Sequence, residues 1–247
     1  MSDLTSSRAL VTGATSGFGR AIAETLAAHG AHVIVTGRDA SRAAATVDAI
    51  LAAGGSAESL TAELGDRDSV TALAEAAGAV DILVNNAGIM SYGPTAATAA
   101  HFDRDIALNV RAPFLLVGAL APGMAARGHG SIINISSGVA ARAGDGYALY
   151  SATKAAIEML TKNWAFEFGP SGVRVNAIAA GPSDTEGSRS TAGDALPGIL
   201  DAFAETLPLR RNVTPQGVAD AAAWLAGPES AYVTGAVVRV DSGFAIG

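Results

Sequence analysis

The chain has 247 residues, 49% hydrophobic and 16% charged, which suits one large α/β domain and argues against disorder. A net charge of −7 without any dense lysine or arginine run makes nucleic acid and anionic membrane unsuitable partners. Cysteine is absent, which excludes disulfides, thiolate metal sites and thiol catalysis.

The first residues, MSDLTSSRAL, have neither a basic start nor an apolar segment of a secretory signal, so the expected location is cytoplasmic. RALVT (8–12) reads as a strand and leads through TGATSGFG (12–19) into a helix from about 19 to 29. HVIVT (32–36) is a second strand, 40–53 a helix stopped by Gly54 and Gly55, and SAESLTA (56–62) a weaker strand. A short helix over 67–77 precedes the buried strand VDILV (80–84). The region 99–127 is helical, disturbed by Pro113 and Pro122, and its uncharged run 112–126 is too short to span a membrane. SIINI (131–135) is a strand, 150–168 a helix, and VRVNAI (173–178) and AVVRV (236–240) are strands, with a helix near 215–226 between those two. Residues 182–210, rich in Gly, Pro, Ser, Thr and Asp and weakly periodic, read as a mobile excursion that covers a site.

Alternating strands and helices imply a parallel sheet covered on both faces, and the nearly continuous apolar strands agree. In such a fold the turn after the first strand is where a diphosphate lies. Gly13, Gly17 and Gly19 let an anion approach the backbone at a helix N-terminus, although a tightly packed turn needs the same glycines. A second-strand acidic residue normally accepts from an adenosine ribose hydroxyl. Gly37 stands there instead, followed by Arg38, whose guanidinium suits a 2′-phosphate. This favours NADP(H) over NAD(H), which stays possible; the competing reading makes Arg38 a solvated loop residue. The four histidines show no metal-ligand spacing, so no metal is expected.

Tyr150 and Lys154, in YSATK, lie one helical turn apart, and roughly 0.03 such pairs would arise by chance from four tyrosines and two lysines. TGATSGFG (12–19), NNAG (85–88), Asn109, Ser136-Ser137, YSATK (150–154) and VNAIAAG (175–181) occur in order over nearly the whole chain. On these motifs the chain resembles the classical short-chain dehydrogenase/reductase family. The resemblance implies a Rossmann-like, doubly wound seven-stranded parallel sheet in a single domain spanning 1–247. It implies Tyr150 as general acid/base. Lys154 would lower the phenol pKa and bind the nicotinamide ribose, Ser137 would hold the substrate oxygen, and Asn109 would fix a relay water. Ser136 competes with Ser137 by position, and Asn109 also fits a helical Asn bonded to backbone.

The resemblance further implies cofactor contacts from Gly13, Thr15, Ser16, Gly17, Phe18, Gly19, Arg38, Glu63, Leu64, Asn86, Ala87, Gly88, Tyr150, Lys154, Gly181, Ser183 and Thr185. Two departures bear on this set. Glu63 stands where the family has Asp or Asn, and Ala180-Gly181 where it has Pro-Gly. The C-terminal VTGAVVRVDSGFAIG resembles the family's intersubunit tail, which suggests a homotetramer. The expected activity is interconversion of a ketone, 3-oxoacyl groups included, and a secondary alcohol. The competing class is a dinucleotide-binding sensor without turnover. Ile89, Met90, residues 138–149 and the 182–210 excursion should frame the pocket, with Arg142 and Asp145 as polar anchors.

Overall fold

The computed structural model describes residues 3–93 and 98–246. Its seven strands are β1 (Arg8–Thr12), β2 (His32–Gly37), β3 (Ser56–Thr61), β4 (Ile82–Asn85), β5 (Gly130–Ser137), β6 (Val173–Ala180) and β7 (Val237–Val240). They form one parallel sheet in the order β3-β2-β1-β4-β5-β6-β7. The order reverses between β1 and β4, and ligands of doubly wound sheets bind in the crevice at that reversal.

Side chains alternate across each strand, so the sheet builds two cores. Val11, Val33, Val35 and Val84 face one side, where α1 (Gly17–Ala28), α2 (Ala40–Ala52) and α9 (Pro215–Ala226) bring Ile22, Leu26, Ile50 and Leu225. Leu10, Ile34, Leu83 and Ile132 face the other. There α3 (Arg67–Ala77), α5 (Ala112–Arg127) and α6 (Ala148–Phe168) supply Leu73, Leu116, Met124, Ile157 and Trp164.

The helical region expected over 99–127 is α4 (Ala99–Ile106), a π-helical turn (Ala107–Arg111) and then α5. Pro113 follows directly on the π-helical turn, inside a helical run that continues through it. Pro122 is carried inside the helix. By length and composition Ala99–Arg127 is apolar enough to cross a membrane, but Leu116, Val117, Leu120, Ala121 and Met124 lie buried in the protein core.

The main departure from expectation is 182–210. This stretch contains α7 (Glu186–Ala192) and α8 (Leu196–Thr206). Thr185 and Ser188 form a reciprocal capping box that starts α7. Leu196, Ile199, Leu200 and Phe203 follow helical spacing on α8, a pattern too short to stand out among the surrounding Gly and Ser.

Candidate active site

The C-terminal ends of β1, β4 and β5 meet around NNAG. Thr12 Oγ1 donates to Val84 O at 3.1 Å and accepts the N–H groups of Asn86 (3.0 Å) and Ala87 (3.1 Å). Asn86 Nδ2 donates back to Thr12 O (2.9 Å) and Gly13 O (3.2 Å). Asn85 Nδ2 donates to Asn134 Oδ1, and Asn134 Nδ2 to Thr161 Oγ1, each at 2.8 Å, tying β4 through β5 to α6.

Two of the three motif glycines are required by this packing. A Cβ on Gly19 would stand 2.2 Å from Gly13 O and 2.3 Å from Asn86 Nδ2. One on Gly13, at φ +62°, would stand 2.9 Å from Ala87 Cα. Gly17 faces the Thr185 side chain, 3.3 Å from where its Cβ would lie. Ser16 precedes α1 without a capping side-chain bond, which leaves first-turn amides for an outside acceptor. A cavity of about 300 Å³ opens here, lined by Thr15, Ser16, Gly17 and Arg20 and, from the other bank, by Asp184, Thr185, Glu186, Arg189 and Pro215. The helix N-terminus and the cavity beside it fit a dinucleotide diphosphate.

At the adenosine end, a Cβ on Gly37 would come within 2.5 Å of Thr15 Cγ2, so a larger residue there would require the Thr15 side chain to turn away. Arg38 is 79% exposed, and its Nη1 lies 3.9 Å from Glu63 Oε2. Glu63 also accepts from Gly65 N–H at 3.2 Å, which occupies the carboxylate locally. Leu64 is buried in the core cluster that includes Val70 and Leu73. Phe18 likewise packs on the core under α1. Gly181 is pressed against Asp241, where a Cβ would stand 2.6 Å from Asp241 Cα. Ser183 is buried with its hydroxyl unpartnered.

Tyr150, Lys154 and Glu158 follow one another along α6 at one-turn spacing. The Lys154 ammonium lies 5.6 Å from the Tyr150 ring centroid and donates to Ile135 O at 2.8 Å. The Ser137 side chain stands beside the Tyr150 phenol and acts to lower its pKa. Ser136 turns the other way, donating to Glu158 Oε1 at 2.8 Å, so it is Ser137 that meets the phenol. Asn109, on the π-helical turn, accepts Ile89 N–H at 2.9 Å and donates to Ile89 O (2.8 Å) and Thr153 Oγ1 (3.1 Å). Its Oδ1 and Lys154 Nζ converge over Gly88, 3.1 and 3.4 Å from where a Cβ would lie.

The expected lowering of the phenol pKa is not what the protein's own groups produce. Burial pushes Tyr150 up to about 12; the Ser137 side chain pulls it down, while the charges of Tyr147 and Asp105 push further up. Burial brings Lys154 down to about 8. Desolvation disfavours both charged forms and outweighs the attraction expected between them.

Several functional neighbours were not anticipated. Thr153 links Asn109 to Tyr150 O, to which it donates at 2.8 Å. Asp105 lies wholly buried four residues before Asn109, with Ala112 and Leu116 continuing the inward-facing stripe, which was the available signal. Arg42 joins Thr15 O (3.4 Å) to Glu186 (2.6 Å), bridging the glycine turn and α7. Arg142 is no free anchor: it donates to Phe244 O at 2.9 Å and stacks on the Phe244 ring. Phe244 in turn fills the space above Gly138 and meets Phe203 of α8, with ring centroids 5.7 Å apart.

A family model described as Enoyl-(Acyl carrier protein) reductase matches residues 13–245. The chain belongs to the classical short-chain dehydrogenase/reductase family. As a member of that family it is an NAD(P)-dependent oxidoreductase acting on CH–OH and C=O groups. Among its relatives in the family, 7alpha-hydroxysteroid dehydrogenase of Escherichia coli (strain K12) is 36% identical over 239 residues, covering 95% of this chain and 92% of that protein. A solved short chain dehydrogenase/reductase family protein superposes with a TM-score of 0.92 at 45% identity, covering 99% of this chain and 100% of the other. Gluconate 5-dehydrogenase from Burkholderia cenocepacia J2315, in complex with NADP and tartrate, gives a TM-score of 0.92 at 32% identity and covers 99% and 97%.

Proposed function

We propose that the protein reduces a ketone or 3-oxoacyl group to a secondary alcohol with NADPH, and runs the reverse reaction with NADP⁺. The observation that carries this reading is the Tyr150 phenol, with the Lys154 ammonium 5.6 Å from its ring centroid and the Ser137 side chain beside it. The nicotinamide, when bound, supplies or accepts the hydride. Tyr150 and Ser137 donate hydrogen bonds to the substrate oxygen, and Tyr150 delivers the proton as negative charge develops there. A phenol held protonated at neutral pH suits the reductive direction. Lys154 holds the cofactor ribose, and with Asn109 it brackets the space over Gly88, a suitable seat for a relay water.

The first-turn amides of α1, with Ser16 and Gly17, hold the diphosphate, and Thr185 closes over it from α7. Arg38 takes the 2′-phosphate; the absence of an acidic side chain at Gly37 and the NADP in the Burkholderia enzyme support this preference, with NAD(H) a weaker second cofactor. Residues 182–210 cover the substrate. Phe114, Met159 and Phe166, exposed on α5 and α6, together with exposed Tyr232 and Ile246, support assembly as a homotetramer.

Tyr150→Phe tests the reading. Carbonyl reduction, followed by NADPH absorbance over a panel of ketones, should fall by about 10²-fold or more. NADPH affinity should be retained. Full turnover in the variant would refute the mechanism, and a wild type inert on every carbonyl would favour a sensor.

A further inference from the structure

Asp105 is wholly buried on α4, and an ionised carboxylate is tolerated there only if it is well hydrogen-bonded. Its partner is Ser91. Asp105 Oδ1 accepts Ser91 Oγ at 2.8 Å, and Oδ2 accepts Ser91 N–H at 3.3 Å. Arg104 closes the triangle. Its Nη2 donates to Ser91 Oγ at 2.8 Å, and its Nε lies 3.6 Å from Asp105 Oδ1.

Ser91 sits in the middle of residues 89–93, which follow the NNAG motif and carry Met90 and Tyr92. The rest of this loop is also fixed, but to other elements. Asn109 holds Ile89 at both its N–H and its carbonyl. Tyr92 meets Tyr147 edge-on with ring centroids 5.3 Å apart, and Gly93 N–H donates to Gly146 O at 3.1 Å. Gly146, at φ +74°, lies so close under Tyr92 that a Cβ would stand 2.6 Å from a ring carbon. The loop therefore spans from α4 to the approach of α6, and Asp105 is the charged fixing point at its centre.

We propose that Asp105 is a positioning residue: through Ser91 it sets the 89–93 wall against which the carbonyl compound is seated opposite Ser137 and Tyr150. This rests on the carbonyl-reductase reading above. A second consequence is electrostatic. The Asp105 charge adds to the effects that hold Tyr150 protonated. The other charged or titratable groups around that phenol are Tyr147 and Lys154 on its own side and Arg104 behind Asp105.

The test compares Asp105→Asn, Asp105→Ala and Ser91→Ala with wild type, using NADPH and the ketone that wild type reduces best. With Asp105→Ala and Ser91→Ala, KM for the ketone should rise by about tenfold, while NADPH affinity stays within about twofold. Asp105→Asn keeps an acceptor for Ser91 and should largely preserve KM, yet move the alkaline limb of kcat/KM to lower pH, because a negative charge beside the phenol is gone. Amide hydrogen exchange at Ser91 and Gly93 should quicken in Asp105→Ala.

Unchanged KM and unchanged exchange in the folded Ser91→Ala and Asp105→Ala proteins would overturn the proposal. A parallel loss of NADPH affinity, kcat and melting temperature would also overturn it, because that marks a merely structural role. Should Asp105→Ala not fold, Ser91→Ala alone decides by the same criteria. A wild type that reduces no ketone would instead overturn the carbonyl-reductase reading, and the exchange rates would still decide whether Asp105 holds the wall.

Discussion

Lys154 is 5% exposed, yet it must be an ammonium to act as proposed. Burial lowers its pKa from 10.5 to about 8, so the folded protein carries a charge that it binds less well than the unfolded chain does. Below pH 8 both states hold the proton and the burial cost is fully present. Between 8 and 10.5 the native lysine has released its proton and the unfolded one has not, so stability rises with pH. Integrating the two titrations from pH 7 to 10 gives a gain on the order of 2–3 kcal/mol attributable to this side chain. Tyr150, raised to about 12, works in the opposite sense only above its unfolded value of 10, which sets the upper limit of the window.

Lys154→Met removes the titration and keeps the length of the side chain. Urea unfolding at fixed protein concentration, without added cofactor, should show the wild-type midpoint climbing relative to the variant between pH 7 and 10. For a slope of about 3 kcal/mol/M the relative shift is about 0.8 M urea. Comparing the two proteins cancels the contribution of every other titrating group. Parallel pH curves would refute the reasoning, because they would mean that the ammonium is not desolvated in the native state.

Three further outcomes follow from close contacts. Gly19→Ala forces a methyl against Gly13 O and Asn86 and should lower stability by about 1–3 kcal/mol, with a matching loss of NADPH binding in fluorescence titration. Thr12→Val keeps the shape of a buried residue but strands the Ala87 N–H and leaves the Asn86 N–H only its 3.2 Å bond to Val84 O; chemical denaturation should show a loss of about 1–3 kcal/mol. Arg38→Leu should raise the Kd for NADPH by about tenfold or more and that for NADH by less than about threefold, since only the former carries a phosphate for the guanidinium. Equal losses for the two cofactors would remove Arg38 from cofactor choice.

Most of the architecture was legible because strands covered on both faces are written as unbroken apolar runs. RALVT and HVIVT are β1 and the body of β2 almost to the residue. The segment α7–α8 was not legible. Its helices depend on a local cap and on contacts such as Phe203 with Phe244, which join residues distant in sequence. Spacing put Tyr150 and Lys154 one turn apart on α6, their roles came from the family resemblance, and neither shows the sign of the phenol shift, which depends on how the site is buried. The glycine turn suits an anion by its sequence, but its packing against Asn86 and Ala87, a contact between separate motifs, is written only in the fold. Asp105 went unremarked because a single acid on a helix looks solvent-facing until the phase of its neighbours is followed.

The π-helical turn at Ala107–Arg111 places one residue more in that turn than an α-helix would. One residue is worth about 100° of rotation along a helix. Deleting a single position there would let the stretch relax into a regular helix, and α4 would swing by that angle relative to the core face of α5. Asp105 and Ser91 would then point apart while every strand stayed in place. The irregular turn thus works as a phase-setter, through which a change of one codon could re-aim the substrate wall without rebuilding the scaffold beneath it.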